Sequence, residues 1–232
     1  MSKITIVFGF LIVGLMSCEQ IITETETDTE TKTEIETETT IPLSVVADNQ
    51  TQTESRSSIE NKAKEALLFC ESQDFSTEFC VLIDMNIHSG KHRMFVYDFK
   101  NQNIDRSALC AHGCGKDDKR STGAQPIFSN EEGSLLTSLG KYRIGIQSYS
   151  QWGINVHYKL HGLEETNNNA YKRIVVLHSH SPMPISETYP NHLPLGWSYG
   201  CPVTDDETMT YLDTKLKKAK KPVLLWIYYD NE

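Results

Sequence analysis

The chain has 232 residues, a formal net charge of −9 at neutral pH and 38% apolar residues. The acidity is uneven: residues 1–58 hold ten acids and three bases, and residues 59–232 hold twenty-one acids and nineteen bases. The near-neutral C-terminal part carries no basic stripe, which excludes a nucleic-acid binder, and its length suits one domain with one core.

At the N-terminus Lys3 precedes an apolar run from Ile4 to Leu15, then soft or small residues leading to Cys18. The run is shorter than the roughly 20 residues that span a bilayer, so it reads as a cleaved export signal. Leu15-Met16-Ser17-Cys18 resembles the cleavage box of bacterial lipoproteins. That resemblance implies removal of residues 1–17, a lipid on Cys18 and a place in the cell envelope, in the periplasm or on the outer membrane. At about 0.8 kcal/mol per buried methylene, several acyl chains hold a protein stably at a membrane.

From Thr23 to Thr40 threonine alternates with acids. The pattern offers no apolar face, and like charges two residues apart repel. Residues 18–58 therefore read as a disordered acidic tether with a span of roughly 35 Å.

Residues 59–232 are predicted to fold. Ser57 and Glu60 form a capping-box pattern opening a short helix through Ala63, Ala66, Leu67 and Cys70. Strands are expected at Phe79–Met85 and Arg93–Phe99, joined by a turn at His88-Ser89-Gly90-Lys91, and at Ala108–His112, Tyr142–Ile146 and Ile154–Leu160. Gly113–Ser138 reads as mostly irregular. Arg173–Leu177 is a near-continuous apolar run, predicted as a buried central strand ending at His178. Thr204 with Glu207 opens a helix whose stripe is Met209, Leu212, Leu216 and Ala219; Pro222 ends it, and Val223–Tyr229 is a last strand. Many short strands with few helices make the fold mainly β, a sandwich or barrel.

Beyond Cys18 there are five cysteines: Cys70, Cys80, Cys110, Cys114 and Cys201. In an oxidising compartment four can pair, Cys70 with Cys80 and Cys110 with Cys114 being one arrangement, which leaves one reactive thiol. Cys201 has the surroundings of a nucleophile. It follows Gly200 in the loop Pro194–Pro202, just before a helix, where backbone N–H groups of Cys201 and its neighbours can face a developing oxyanion. A thiol with a pKa near 8.5 needs a base, and His178 at the mouth of the central strand is the candidate. Candidate substrate contacts are Trp197 and Tyr199 beside the thiol, His180 two residues after the base, His112 at a strand end, and the loop residues Ser129, Asn130 and Ser134.

The segment Arg173-Ile174-Val175-Val176-Leu177-His178, followed by Ser198-Tyr199-Gly200-Cys201-Pro202, resembles the YkuD-type murein L,D-transpeptidase catalytic domain. Val81-Leu82-Ile83-Asp84, Arg93–Asp98, Ala111-His112-Gly113, Phe128-Ser129-Asn130, Gly133-Ser134 and Ser138–Tyr142 stand in the order seen in one branch of that family. The resemblance, covering about Phe79 to the end, implies a YkuD-like fold, no cofactor or metal, and acyl transfer on peptidoglycan stem peptides. Cys201 attacks an L-centre carbonyl, D-alanine leaves, and an amine or water takes the acyl group; water as acceptor makes the activity an L,D-carboxypeptidase. Ser198 and Gly200 map onto the family's Ser/Thr-x-Gly-Cys signature.

Tyr199 departs from the histidine or arginine that many members carry there. Two other readings stay open: a wall-binding lipoprotein without turnover, and a metal-dependent peptidase using His178 and His180 on one side of an extended segment.

Overall fold

The computed structural model describes residues 43–116 and 119–229. All described residues fall in one compact unit, Pro42–Glu232. The expected export signal, the expected lipid site at Cys18 and most of the expected acidic tether lie outside the described residues. Among those described, no helix is long and apolar enough to cross a membrane.

The first described element is helix α1, Leu43–Ser72. It begins well before the predicted start at Ser57, because neither Gly nor Pro interrupts Leu43–Ser72. Inside the helix Glu60 does not cap; it takes Arg56 one turn earlier at 3.2 Å. The part of the expected tether from Leu43 to Ser58 is thus helical. Ile59, Ala63, Ala66 and Cys70 recur at spacings of four, three and four and are buried on one face.

Among the described residues ten strands follow in chain order: β1 Phe79–Asp84, β2 Met94–Asp98, β3 Asn103–Ala108, β4 Gly115–Lys116, β5 Lys119–Arg120, β6 Gly140–Tyr149, β7 Val156–Gly162, β8 Val176–Ser179, β9 Val203–Thr204 and β10 Leu224–Tyr228. Helix α2, Asp206–Leu216, stands between β9 and β10. Eight strands form one sheet in the order β3-β2-β1-β10-β6-β7-β8-β9, and β4 with β5 makes a small ribbon. β1 runs parallel to β10 and β8 parallel to β9; the other neighbours are antiparallel. Just past β3, the Ala111 N–H donates to the Val203 carbonyl of β9 at 2.8 Å, so the two edges of the sheet meet. The result is a nearly closed, mainly β barrel, as expected.

Side-chain alternation divides β1 between two cores. Cys80 and Leu82 pack with Phe95, Tyr97, Leu224, Tyr228 and the buried face of α1. Val81 and Ile83 face inward with Tyr142, Tyr158, Leu160, Leu177 and Leu225, and Met209 and Leu212 of α2 complete that interior.

Several expected bounds are corrected. β3 starts at Asn103 and ends at Ala108, since its exposed polar alternation hides it from an apolar search; His112 is beyond it. The helix after Cys201 is capped by Asp205, whose carboxylate accepts the Thr208 N–H at 2.8 Å. Thr204 belongs to β9 and its hydroxyl donates to the Leu109 carbonyl at 3.1 Å, so it is not free to cap. β8 begins only at Val176. Ahead of it, Ile174 is in the left-handed region (φ 59°) and 73% exposed, so Arg173 and Ile174 form a turn rather than a strand. The five described cysteines are free thiols. Cys110 points into the barrel interior while the Cys114 thiol turns to the Gly115 carbonyl, so those two do not pair.

Candidate active site

The turn at Ile174 sets the geometry of the site. Val175 N–H closes onto the Ala170 carbonyl, and the next N–H, of Val176, points at the Cys201 sulfur at 3.4 Å. His178 follows two residues on along β8 and is paired in register with Val203 of β9, itself two residues beyond Cys201. The parallel β8–β9 pairing therefore brings base and nucleophile candidates to one mouth of the barrel. Cys201 and His178 line the same cleft of about 470 Å³, with Val176, Ile174, His157, His180, Trp152 and Trp197 among its walls.

His178 is buried, and its Nδ1–H donates to the Ser179 carbonyl at 2.9 Å. That bond holds the ring in one orientation and leaves Nε2 as the proton acceptor. Burial lowers its proton affinity, the Ser179 carbonyl raises it, and the nearby His157 and His180 rings lower it. Burial likewise raises the pKa of the Cys201 thiol, against the Val176 N–H and the Arg173 cation, which lower it. Both shifts favour a neutral thiol and a neutral imidazole at rest in the one cleft, and the chemistry such a pair suits is proton removal coupled to attack.

Ser198 and Gly200 shape the turn. The Ser198 hydroxyl donates to the Cys201 carbonyl at 2.5 Å and accepts the Gly200 N–H at 3.1 Å. Gly200 is thereby removed from the candidate oxyanion donors, which narrows that expectation to Cys201 and its other neighbours. Gly200 has φ 114°, and a Cβ there would stand 2.8 Å from the Leu136 carbonyl oxygen.

The other expected contacts separate into two groups. Trp197, His180 and Tyr199 line the cleft. The His180 ring lies edge-on between Trp152 and Trp197, with centroids 5.7 and 5.5 Å away. Tyr199 is 67% exposed at a rim shared with a second cleft beside Lys116 and Arg120. His112 is not in the cleft: it is 4% exposed, and its Nδ1 accepts from Arg93 Nη2 at 2.8 Å. Ser129, Asn130 and Ser134 also lie outside the lining and satisfy their own surroundings. The Ser129 carbonyl accepts from Arg173, the Asn130 amide donates to the Glu165 carbonyl, and the Ser134 hydroxyl accepts from Leu136 N–H. Among the described residues no three His, Cys, Asp or Glu side chains gather as a metal site.

Residue-type reasoning missed His157, Arg173 and the Ser179 carbonyl. His157 pairs with His178 across β7 and β8, a register that no local pattern in the sequence shows. Arg173 carried a signal, a charge heading an apolar run, that reads equally well as a strand end.

A thiol and an oriented imidazole at the mouth of a nearly closed mainly β sheet define the class of protein. The L,D-transpeptidase catalytic domain family matches residues 50–228, and the chain belongs to that family. No curated protein matches it. Among solved structures it is similar to the L,D-transpeptidase of Xylanimonas cellulosilytica, at 12% identity and TM-score 0.39 over 66% of this chain and 61% of that one. It is also similar to the helical cell shape determining protein Pgp2 of Campylobacter jejuni (13%, 0.41, 66% and 48%). A third similar structure is Bd1075 of Bdellovibrio bacteriovorus (14%, 0.42, 67% and 49%). The match thus spans between about half and 61% of the length of these proteins.

Proposed function

We propose that this chain is an exported, lipid-anchored cysteine enzyme that transfers acyl groups between peptidoglycan stem peptides. Nε2 of His178 takes the thiol proton as the Cys201 sulfur attacks the stem carbonyl, and the resulting imidazolium passes that proton to the leaving D-alanine amine. A thioester joins the stem to Cys201. An amine of a second stem then takes the acyl group and makes a cross-link, or water takes it and trims the stem; either way the thiol is regenerated with a proton returned through His178. Trp197 and Trp152 wall the cleft in which the stem lies, and a lipid on Cys18 keeps the domain beside its membrane.

The observation that carries this reading is the hydrogen bond from His178 Nδ1–H to the Ser179 carbonyl, which leaves the other ring nitrogen free in the cleft that also holds the Cys201 thiol. The test incubates purified muropeptides bearing four-residue stems with the full chain and with C201A, followed by mass spectrometry. Wild type is expected to release D-alanine and form new cross-links or trimmed stems, and C201A to be slower by at least about 10⁴-fold. Unchanged turnover by C201A would overturn the reading. Binding to wall fragments without any turnover by wild type would instead support a non-catalytic wall protein.

A further inference from the structure

Arg173 does not line the cleft, yet its side chain is half-buried and its guanidinium lies against Gly200, the residue before Cys201. Nη1 donates to the Ser129 carbonyl at 2.8 Å and the Ser138 hydroxyl at 3.4 Å; Nη2 donates to the Leu136 carbonyl at 2.5 Å and the Ser134 hydroxyl at 3.3 Å. A Cβ on Gly200 would lie 3.3 Å from Nη2 and 2.8 Å from the Leu136 oxygen that Nη2 holds. The residue before the thiol therefore rests on a seat made by this guanidinium and its carbonyl partner. All four partners are neutral oxygens, which orient the cation without cancelling its charge. An arginine stays protonated under any condition the enzyme meets, so the charge is permanent.

The same residue fixes the other wall of the thiol site. Its own N–H donates to the Asn169 carbonyl at 2.8 Å, ending the turn from which the left-handed Ile174 and then the Val176 N–H reach the sulfur. The fork holds segment 129–138 on one side and the approach to β8 on the other, with Gly200 and Cys201 between them.

We propose that Arg173 is a positioning residue that seats the Gly200–Cys201 turn and supplies the positive field in which the Cys201 sulfur ionises. It acts without touching substrate. The proton that leaves the sulfur goes to His178, and Arg173 neither gives nor takes one. The proposal rests on Cys201 being the nucleophile. Burial raises the thiol's pKa and the Arg173 cation lowers it, in keeping with that role.

The test reads the thiol itself, so it needs no substrate. Iodoacetamide alkylation of the full chain is followed against pH, with the adduct on the peptide containing Cys201 quantified by mass spectrometry. R173Q is expected to raise the midpoint by about one pH unit, which slows alkylation at neutral pH roughly tenfold. R173K keeps the charge and loses the fork, so it is expected to restore the wild-type midpoint while turnover of muropeptides stays low. A folded R173Q with an unshifted midpoint overturns the proposal, as does an R173K midpoint displaced as far as that of R173Q. Should R173Q fail to fold, R173K decides alone: a retained midpoint supports the role and a raised one overturns it. A wild-type chain with the expected alkylation profile and no action on muropeptides would sink the proposed function and leave this assignment standing.

Discussion

Gly200, next to the thiol, has no room for a side chain. Its backbone is left-handed, and any side chain would meet the Leu136 carbonyl oxygen at 2.8 Å. G200A is expected to cost about 1–3 kcal/mol of stability and to displace the thiol, read together as a lower melting temperature and lost turnover. On the proposed mechanism, His178 sets the acid limb of activity. Burial lowers its proton affinity, so its neutral, proton-accepting form persists below the ordinary imidazole pKa of 6.5. As pH falls, kcat/KM is expected to decline only below that value; a decline centred above it would show that another group carries the limb. How much of this was legible differs residue by residue. Cys201 and His178 stand out by type and by their neighbours in the sequence. His157 and Arg173 do not, because their importance comes from a cross-strand register and from a side chain that folds back under a distant turn.

At the scale of elements, the cap of α2 is the clearest case of one side chain deciding where a helix starts. Asp205 is 1% exposed, its carboxylate accepts the Thr208 N–H, and the Thr204 hydroxyl also lies at 3.3 Å from it. D205A is expected to lower stability by about 1–2 kcal/mol in chemical denaturation, whereas E207A, at the other end of the sequence-predicted box, should cost less than about 0.5 kcal/mol. Apolar and aromatic density located β1, β2 and β10 to within a residue or two, since those strands are buried on both faces. The same signal overran at β8, where Ile174 is apolar yet exposed, and it missed the early part of β3, whose residues alternate between partly and fully exposed. The start of α1 was misplaced for a related reason: a polar stretch without Gly or Pro is compatible with both a tether and a helix, and local sequence does not choose.

Across the whole molecule, the barrel is drawn together where the segment after β3 meets β9, and a buried cation stands beside that seam. Arg93, 1% exposed, donates from Nε to the Cys110 carbonyl and from Nη2 to His112 Nδ1, both at 2.8 Å. His112 Nε2 is buried toward the Thr122 backbone without a hydrogen bond of normal geometry. Burial and then Arg93 push the His112 pKa down from 6.5 to about 4. The unfolded chain therefore binds a proton that the folded chain refuses, so stability is full above 6.5 and is lost as pH falls toward about 4. The loss amounts to roughly 3 kcal/mol at about 1.4 kcal/mol per pKa unit. Melting temperature is expected to fall across that window in wild type and to flatten in H112N; equal slopes would place the acid sensitivity elsewhere.

The central claim is that the Cys201 sulfur becomes covalently acylated by a stem peptide. The most direct measurement is intact-protein mass spectrometry after rapid acid quench with a stem-peptide donor, with the modified peptide then mapped. The expected result is a mass increase equal to the donor less D-alanine, confined to the peptide containing Cys201, labile to hydroxylamine and missing in C201A. Turnover of the donor with no adduct at any quench time, or an adduct on another residue, would contradict it.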